Sequence, residues 1–293
     1  MQKSTLLISA LLLASSAFGA KADCLWLAGD ALSYGWSLDD ATAILSTPED
    51  AALFTGTVYL QGGKDFKLLT TTDFGNEEYG SAPDATLVDG TIAIAKGKGD
   101  TGYGKIQVPE DANYLITVNT TAMSATIVKS VYQEKPVNTA SLFLVGDATP
   151  NGWDVMKGTP LYQNPDEPYV LSNPAIAMTA GSFKIAAELK GACSFDAKYW
   201  YFRNAEDAAK IARAQEGDLQ WSITAPDTYS VTVNLNTEAI DIAQVKPSGI
   251  DSVEATEATP AEYYTLEGIR VENPGRGIYL RKRGTTVTKL YVK

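Results

Sequence analysis

The sequence contains no histidine, and this absence removes several kinds of chemistry at once. Histidine is the usual general base near neutral pH, a member of most catalytic triads and the commonest zinc ligand. No Ser, Cys or Lys stands in a recognisable nucleophile motif, and no glycine-rich loop ends in the Lys-Ser or Lys-Thr pair that binds phosphate. The composition therefore disfavours the common hydrolases and the nucleotide-dependent enzymes.

Cysteine is nearly absent, with only Cys24 and Cys193, so no disulfide framework holds the fold. A single Cys24–Cys193 bridge stays open as an alternative. Cys24 also stands where lipoproteins carry a lipidated cysteine. Lipid attachment requires small residues directly before the cysteine, and Lys21-Ala22-Asp23 matches that pattern poorly, so an ordinary cysteine is favoured.

Long apolar runs are also missing. Residues 1–22 carry Lys3 near their start, continue as an apolar run to Leu13 and end mostly in small residues, which is the pattern of a secretory signal peptide. A transmembrane helix needs about 20 apolar residues, and neither this run nor any later one is that long. We therefore expect a secreted protein without a transmembrane span.

Positive charge is in deficit, since 24 Lys and Arg against 35 Asp and Glu give a formal net charge of −11. Nucleic acid is therefore not expected as a partner. Adjacent acids that could serve a two-carboxylate glycosidase lie in turn-like polar stretches, or would point to opposite faces of a strand. These pairs are Asp39-Asp40, Glu77-Glu78 and Asp166-Glu167. We interpret them as solvated charge and expect no catalytic residue, no cofactor and no metal.

An internal repeat organises the chain. The stretch LWLAGDALSYGW at 25–36 returns as LFLVGDATPNGW at 142–153, a spacing of 117 that also carries Phe66-Lys67 onto Phe183-Lys184. Further on, YLITVN at 114–119 returns as YSVTVN at 229–234. Each unit therefore runs for about 105 residues, which is the size of one β-sandwich.

Short runs rich in β-branched and aromatic residues, bounded by Gly, Pro, Asn and Asp, predict strands throughout both units. One helix is predicted, from Glu206 to Gln215. The expected fold is all-β, with two tandem immunoglobulin-like antiparallel β-sandwiches and a small C-terminal β module. The predicted domains are a signal peptide (1–22), repeat 1 (23–131), a linker (132–139), repeat 2 (140–246), a second linker (247–261) and the C-terminal module (262–293).

Aromatic residues beside basic ones mark the second repeat as a candidate sugar-binding unit. Trp153 follows a turn, Lys184 ends the Phe-Lys pair, and KYWYFRN carries Trp200 and Arg203. An indole face stacks on the apolar C–H face of a sugar ring, and charged side chains bond to its hydroxyls. Phe183 precedes Lys184 on a strand and must point the other way, so we assign it to the core, together with Trp221.

The stretch LFLVGDATPNGWD, followed by AGSFKIAA and a later Trp, resembles the repeated domains of the SusE/SusF outer-membrane starch-binding proteins. The resemblance implies non-catalytic β-sandwiches at the cell surface that bind a polysaccharide or oligosaccharide, an α-glucan first. It also implies other outer-membrane glycan-uptake proteins as partners. The glycan-binding residues it implies in repeat 2 are Trp153, Lys184, Trp200, Arg203 and Asn204.

The first repeat departs from this pattern. It retains Trp36 and Lys67 as glycan-binding candidates, but the spacing of 117 puts Pro83 where repeat 2 has Trp200. Tyr79 is the nearby aromatic substitute. Binding by repeat 1 is therefore expected to be weak or absent.

The C-terminal stretch YYTLEGIRVENPGRGIYLRKRG, ending in TKLYVK, resembles the sorting domains of the type IX secretion system. Residues 262–293 carry seven basic and three acidic residues, unlike the acidic remainder. The resemblance implies export to the cell surface or outer membrane. The expected function is non-catalytic binding of starch-type glycans, and the alternative is a structural or adhesive surface protein whose repeats are spacers.

Overall fold

The computed structural model describes residues 22–189, 197–213, 217–246, 261–283 and 286–292. The predicted signal peptide up to residue 21, Cys193 and residues 247–260 of the second predicted linker lie outside the described residues. The chain divides into two compact units, one ending at Val245 and the other beginning at Lys246. Within the described part of the chain, no helix is both long and apolar enough to cross a membrane.

The predicted all-β class is confirmed. Residues 22–131, all of them described, form one antiparallel sheet in the order β1-β2-β3-β8-β9-β6-β5-β4-β7, and an additional pairing of β1 with β4 closes it into a ring. Its strands are β1 (Cys24–Ala28), β2 (Thr42–Ser46), β3 (Leu53–Leu60), β4 (Asp65–Leu69), β5 (Glu77–Ser81), β6 (Thr91–Lys98), β7 (Ile106–Gln107), β8 (Ala112–Asn119) and β9 (Ser124–Lys129).

The second repeat forms a comparable sheet in the order β15-β14-β13-β10-β11-β12-β17-β18, with β16 paired to β13. A short 3-10 helix, Val155–Lys157, precedes β11. The strands are β10 (Leu142–Val145), β11 (Thr159–Gln163), β12 (Val170–Met178), β13 (Gly181–Leu189), β14 (Ala197–Arg203), β15 (Ile211–Ala212), β16 (Trp221–Ile223), β17 (Asp227–Asn234) and β18 (Ala239–Gln244).

The helix predicted from Glu206 to Gln215 is wrong. The described residues of this stretch form a turn followed by β15, and Asn204 accounts for the turn because its side-chain oxygen accepts hydrogen bonds from the backbone N–H groups of Glu206 and Asp207. A local side-chain bond of this kind competes with helix formation. The acidic and basic ends of the segment therefore did not determine its structure.

Strand alternation places the core of each repeat as predicted. On β17, Val231 and Val233 are fully buried in the second core, and Tyr229 packs against it from the same face. Phe183 and Trp221 stack inside that core, with ring centroids 5.7 Å apart. Both belong to the core, as predicted.

The first strand of each repeat is buried on both faces. Leu25 and Leu27 point into the first core, whereas Trp26 belongs to a second apolar layer on the outside of the same strand. In repeat 2, Leu142 and Leu144 point inward, while Phe143 lies in the corresponding outer layer. The outer layers matter because the candidate site residues lie on them.

The two repeats contact each other through buried hydrogen bonds. The carboxylate of Glu188, which is 1% exposed, accepts bonds from the N–H of Ala43 in repeat 1 at 2.7 Å and from the N–H of Ala140 at 2.7 Å. The Gln163 side chain bonds to both the N–H and the carbonyl of Thr57, at 2.6 and 3.2 Å. These contacts fix one repeat against the other.

The segment predicted as the first linker, 132–139, is bound along its length. The Asn113 side chain donates to the carbonyls of Tyr132 and Lys135 and accepts from the N–H of Val137. The hydroxyl of Thr42 donates to the carbonyl of Asn138 at 3.0 Å. The segment is therefore part of the folded unit that ends at Val245.

The second unit is a small antiparallel sheet in the order β20-β19-β21-β22. None of its described residues is fully buried, so it has no core of its own within that described part. The strands are β19 (Glu262–Tyr264), β20 (Arg270–Val271), β21 (Gly277–Arg283) and β22 (Thr286–Val292). A sorting role for this module stays a prediction.

Candidate functional site

The candidate site of repeat 2 is centred on the ammonium group of Lys184. Its Nζ lies 4.8 Å from the ring centroid of Trp200, 5.8 Å from that of Trp153 and 5.5 Å from that of Phe202. These distances are within the range of cation–π attraction. The Lys184 ammonium also pairs with the carboxylate of Asp218 at 2.9 Å. The structure thus brings together three of the predicted residues, and both indoles are partly exposed.

Strand register explains why these side chains meet. Phe183 points into the core, so Lys184 points to the outer face of β13. Trp200 on β14 pairs with Ala186, two residues beyond Lys184, and therefore lies on the same outer face. Phe202 follows two residues later on β14 and joins them, an aromatic contact that sequence reasoning missed although the alternation contains it.

Arg203 and Asn204 hold the end of β14. The Arg203 Nε donates to the carbonyl of Gln220 at 3.1 Å, and its Nη1 donates to the carbonyl of Asn204 at 3.2 Å. The Asn204 side-chain oxygen accepts hydrogen bonds from the backbone N–H groups of Glu206 and Asp207. Both residues therefore stabilise the edge of the platform.

The candidate site of repeat 1 is centred on Lys67, whose side chain is almost wholly enclosed at 2% exposure. Its Nζ donates to Glu78 at 2.8 Å, to Asp100 at 2.8 Å and to the hydroxyl of Tyr103 at 3.2 Å. The Tyr103 hydroxyl also donates to Glu78, and Lys105 pairs with the same oxygen of Asp100. The protons of the Lys67 ammonium are thus committed to neighbouring oxygens, so this lysine organises the site.

Aromatic rings surround this charged network. The Lys67 Nζ lies 5.7 Å from the ring centroid of Trp36 and 5.0 Å from that of Phe74, and the Lys105 Nζ lies 5.1 Å from that of Trp36. Phe74 is 49% exposed. Trp36, Lys67, Phe74 and Asp100 line a cavity of about 380 Å³. Trp36 and Lys67 thus lie together at one cavity of repeat 1, and the weak or absent binding expected of this repeat stays a prediction.

The predicted equivalence of Pro83 with Trp200 is wrong. Ala186 of repeat 2 corresponds to Leu69 of repeat 1 at the spacing of 117, and the partners of these two residues on the next strand are Trp200 and Glu78 respectively. Tyr79, proposed as the aromatic substitute, is buried in the first core. Repeat 1 thus has a glutamate where repeat 2 has an indole.

The ion pairs of repeat 1 shift the pKa values of their members. Burial alone would raise the pKa of Glu78, but hydrogen bonds from Lys67 and Tyr103 outweigh burial, and the pKa is lowered. Hydrogen bonds from Lys105 and Lys67 hold the pKa of Asp100 well below its usual range. Burial alone would lower the pKa of Lys67, but its hydrogen bonds to Asp100 and Glu78 outweigh burial, and the pKa is raised. Glu78, Asp100 and Lys67 therefore stay charged at neutral pH.

No protein-family model matches this sequence, and no curated protein sequence matches it. Among solved structures, the crystal structure of SusF from Bacteroides thetaiotaomicron is similar to 77% of this chain, with 19% sequence identity and a TM-score of 0.29. The similarity covers 48% of SusF, so the chain spans about half the length of that protein.

Proposed function

We propose that the chain binds a neutral glycan without converting it, and that repeat 2 supplies the main stacking platform. The observation that carries the proposal is the grouping of Trp153, Trp200 and Phe202 around the Lys184 ammonium on one partly exposed face. Indole faces that remain accessible outside a packed core can lie against the C–H faces of pyranose rings. Lys184, Trp200 and Phe202 stand on strands, which hold their geometry more firmly than loops do.

The polar groups of the platform suit hydroxyls. A sugar hydroxyl both donates and accepts hydrogen bonds, and the Lys184–Asp218 pair offers a charged donor beside a charged acceptor. The paired charges cancel, so the site has little attraction for a strongly charged ligand. These features support a neutral, hydroxyl-rich ligand.

The finer assignment follows the resemblance of the repeat motif to SusE/SusF domains. On that basis the proposed ligand is starch or a maltooligosaccharide, bound at the outer membrane or cell surface by a secreted protein. Other glycan-uptake proteins are the proposed partners. The C-terminal module, with its sorting-like sequence, is the proposed route to the surface.

Calorimetric titration with a panel of glucans tests the binding. We expect the parent protein to bind maltooligosaccharides and Trp200→Ala to weaken repeat 2 binding by about tenfold or more, because stacking and buried apolar area are both lost. Tyr291→Ala removes an exposed aromatic ring outside the platform and serves as the control. Equal affinity for Trp200→Ala and the parent would instead support the structural or adhesive function.

Catalysis is tested separately by incubating the protein with the same polysaccharides and measuring reducing ends. We expect none above the level of the buffer blank. Steady release of reducing ends would overturn the non-catalytic part of the proposal, and binding would then be read as substrate binding.

A further inference from the structure

We propose that a cavity between the two repeats joins their aromatic sites, so that one linear oligosaccharide binds across both. This inference rests on the proposed function, because it takes each repeat to bind sugar rings. It adds that the two sites act as parts of one extended site. The ligand class is therefore a chain of sugar units long enough to cross the boundary between the repeats.

The cavity has a volume of about 500 Å³, which is within the usual range for small-molecule sites. Both repeats line it. Repeat 1 contributes Trp26 and the loop residues Thr71 and Asp73, and repeat 2 contributes Phe143 and Met156. Apolar rings together with hydroxyl and carboxylate groups match the mixed surface of a sugar.

The walls of the cavity share their apolar layers with both candidate sites. Trp26, in its wall, belongs to the layer against which Trp36 packs. Phe143, also in its wall, belongs to the layer against which Trp153 and Trp200 pack. Cys24 packs against both layers. Two apolar layers that meet at Cys24 therefore underlie the site of repeat 1, the cavity and the platform of repeat 2.

One loop connects the repeat 1 site to the cavity. Phe74 faces the Lys67 ammonium in the first site, and Thr71 and Asp73, one to three residues earlier, line the cavity. A chain leaving the Phe74 ring can continue along the same loop. The loop thus provides both a stacking ring and neighbouring polar groups.

The repeats need no rearrangement to present both sites together. Glu188 and Gln163 tie repeat 2 to the backbone of repeat 1. A preorganised pair of sites avoids the entropy cost of bringing them together, and the second contact of a bridging ligand becomes intramolecular. Affinity should therefore rise steeply once the ligand is long enough to reach both sites.

Calorimetric stoichiometry with the full chain tests the bridge. We expect maltotriose to bind with two molecules per protein, and a linear α-glucan fragment several times longer to bind with one, about 100-fold more tightly. If the long fragment bound with the same affinity per site as maltotriose and with one molecule at each site, the bridge would be overturned. If neither ligand bound, the proposed function itself would fail, so the two failures are distinguishable.

A blocking variant locates the bridge. Ala51 is exposed and lines the cavity, so the indole of Ala51→Trp would occupy the path between the sites without disturbing a core. We expect this variant to bind maltotriose normally and to lose the gain with the long fragment. Ala177→Trp, at an exposed alanine of β12 outside the cavity lining, is the matched control and should keep the gain. Retention of the gain by Ala51→Trp would contradict the assignment of this cavity.

Discussion

At the scale of single residues, the two candidate sites differ mainly at one position of the repeat. Lys184 of repeat 2 lies beside Trp200, whereas Lys67 of repeat 1 lies beside Glu78. In repeat 1 the lysine is neutralised within a buried pair, and rings from loops replace the strand indole. Lys184 therefore presents its charge beside the aromatic rings of repeat 2, whereas Lys67, at the same position of repeat 1, holds the surrounding side chains in place.

The buried Lys67–Glu78 ion pair predicts that substitution of Lys67 will lower the free energy of unfolding strongly, and that a second substitution at Glu78 will restore part of it. Lys67→Met leaves the Glu78 carboxylate buried without its ammonium partner, and we expect a loss of about 3 kcal/mol in the free energy of unfolding, measured with urea. Adding Glu78→Gln should recover part of that loss. Lys96→Met removes an exposed pair with Glu77 and should leave the free energy of unfolding nearly unchanged. If the loss in the variant carrying both Lys67→Met and Glu78→Gln equalled the sum of the losses in the two single variants, Lys67 and Glu78 would not stabilise each other.

The same network predicts how stability changes with acid. The pKa values of Glu78 and Asp100 are lower in the folded protein than in the unfolded chain. Their contribution is therefore present above the unfolded pKa, at about pH 4, and is lost as the pH falls towards their folded values. We expect urea unfolding to show a falling stability below about pH 4. The Glu78→Gln variant should show a shallower fall, and an unchanged slope would contradict the role of this carboxylate.

At the scale of structural elements, strand alternation allowed more to be predicted than loop sequence did. Side chains of a β-strand alternate between its two faces, and this alternation alone predicts Phe183 in the core and Lys184 on the outer face. The contacts of Lys67 with Asp100 and Tyr103 span 33 and 36 residues and depend on how a glycine-rich loop folds back over β5. No local pattern encodes such a contact.

Register was a second limit on prediction. A constant spacing of 117 aligns the first strands of the repeats, but Glu78 lies nine residues after its partner Leu69, whereas Trp200 lies fourteen residues after Ala186, so Pro83 no longer corresponds to Trp200. Only the hydrogen-bonded partners on β4 and β13 reveal that Glu78 takes that place. The lengths of turns and loops have to be known before corresponding residues of the two repeats can be aligned beyond the first hairpin.

The loop over β5 gives a prediction at this scale. Gly80 lies beneath the loop, and a Cβ at this position would overlap the Gly104 carbonyl and the Tyr103 ring. We expect Gly80→Ala to displace the loop, to cost about 2 kcal/mol of stability and to reduce the maltotriose stoichiometry from two to one. Gly275→Ala, where a Cβ meets no atom within 4 Å, is the control. A variant that kept both sites would show that the loop does not form the first one.

At the scale of the whole molecule, the tandem repeats behave as one body because polar groups, and not only apolar contact, join them. Glu188 places a carboxylate with four hydrogen bonds between the repeats, from Ala43 N–H, Ala140 N–H, and the N–H and hydroxyl of Ser141. A buried carboxylate in this position is stable only while its donors stay in place. The joint is therefore sensitive to any change that separates the repeats.

This joint predicts the cooperativity of unfolding. In the parent, heating should unfold both repeats in one transition, with equal calorimetric and van't Hoff enthalpies. Glu188→Gln keeps only one acceptor oxygen and turns an amide donor towards groups that already donate, which we expect to cost about 3 kcal/mol and to split the transition in two. Glu206→Gln, at an exposed glutamate of the same repeat, is the control and should leave a single transition. Two transitions in the parent would mean that the repeats unfold independently, whereas a single transition in Glu188→Gln would mean that the hydrogen bonds of Glu188 do not couple them.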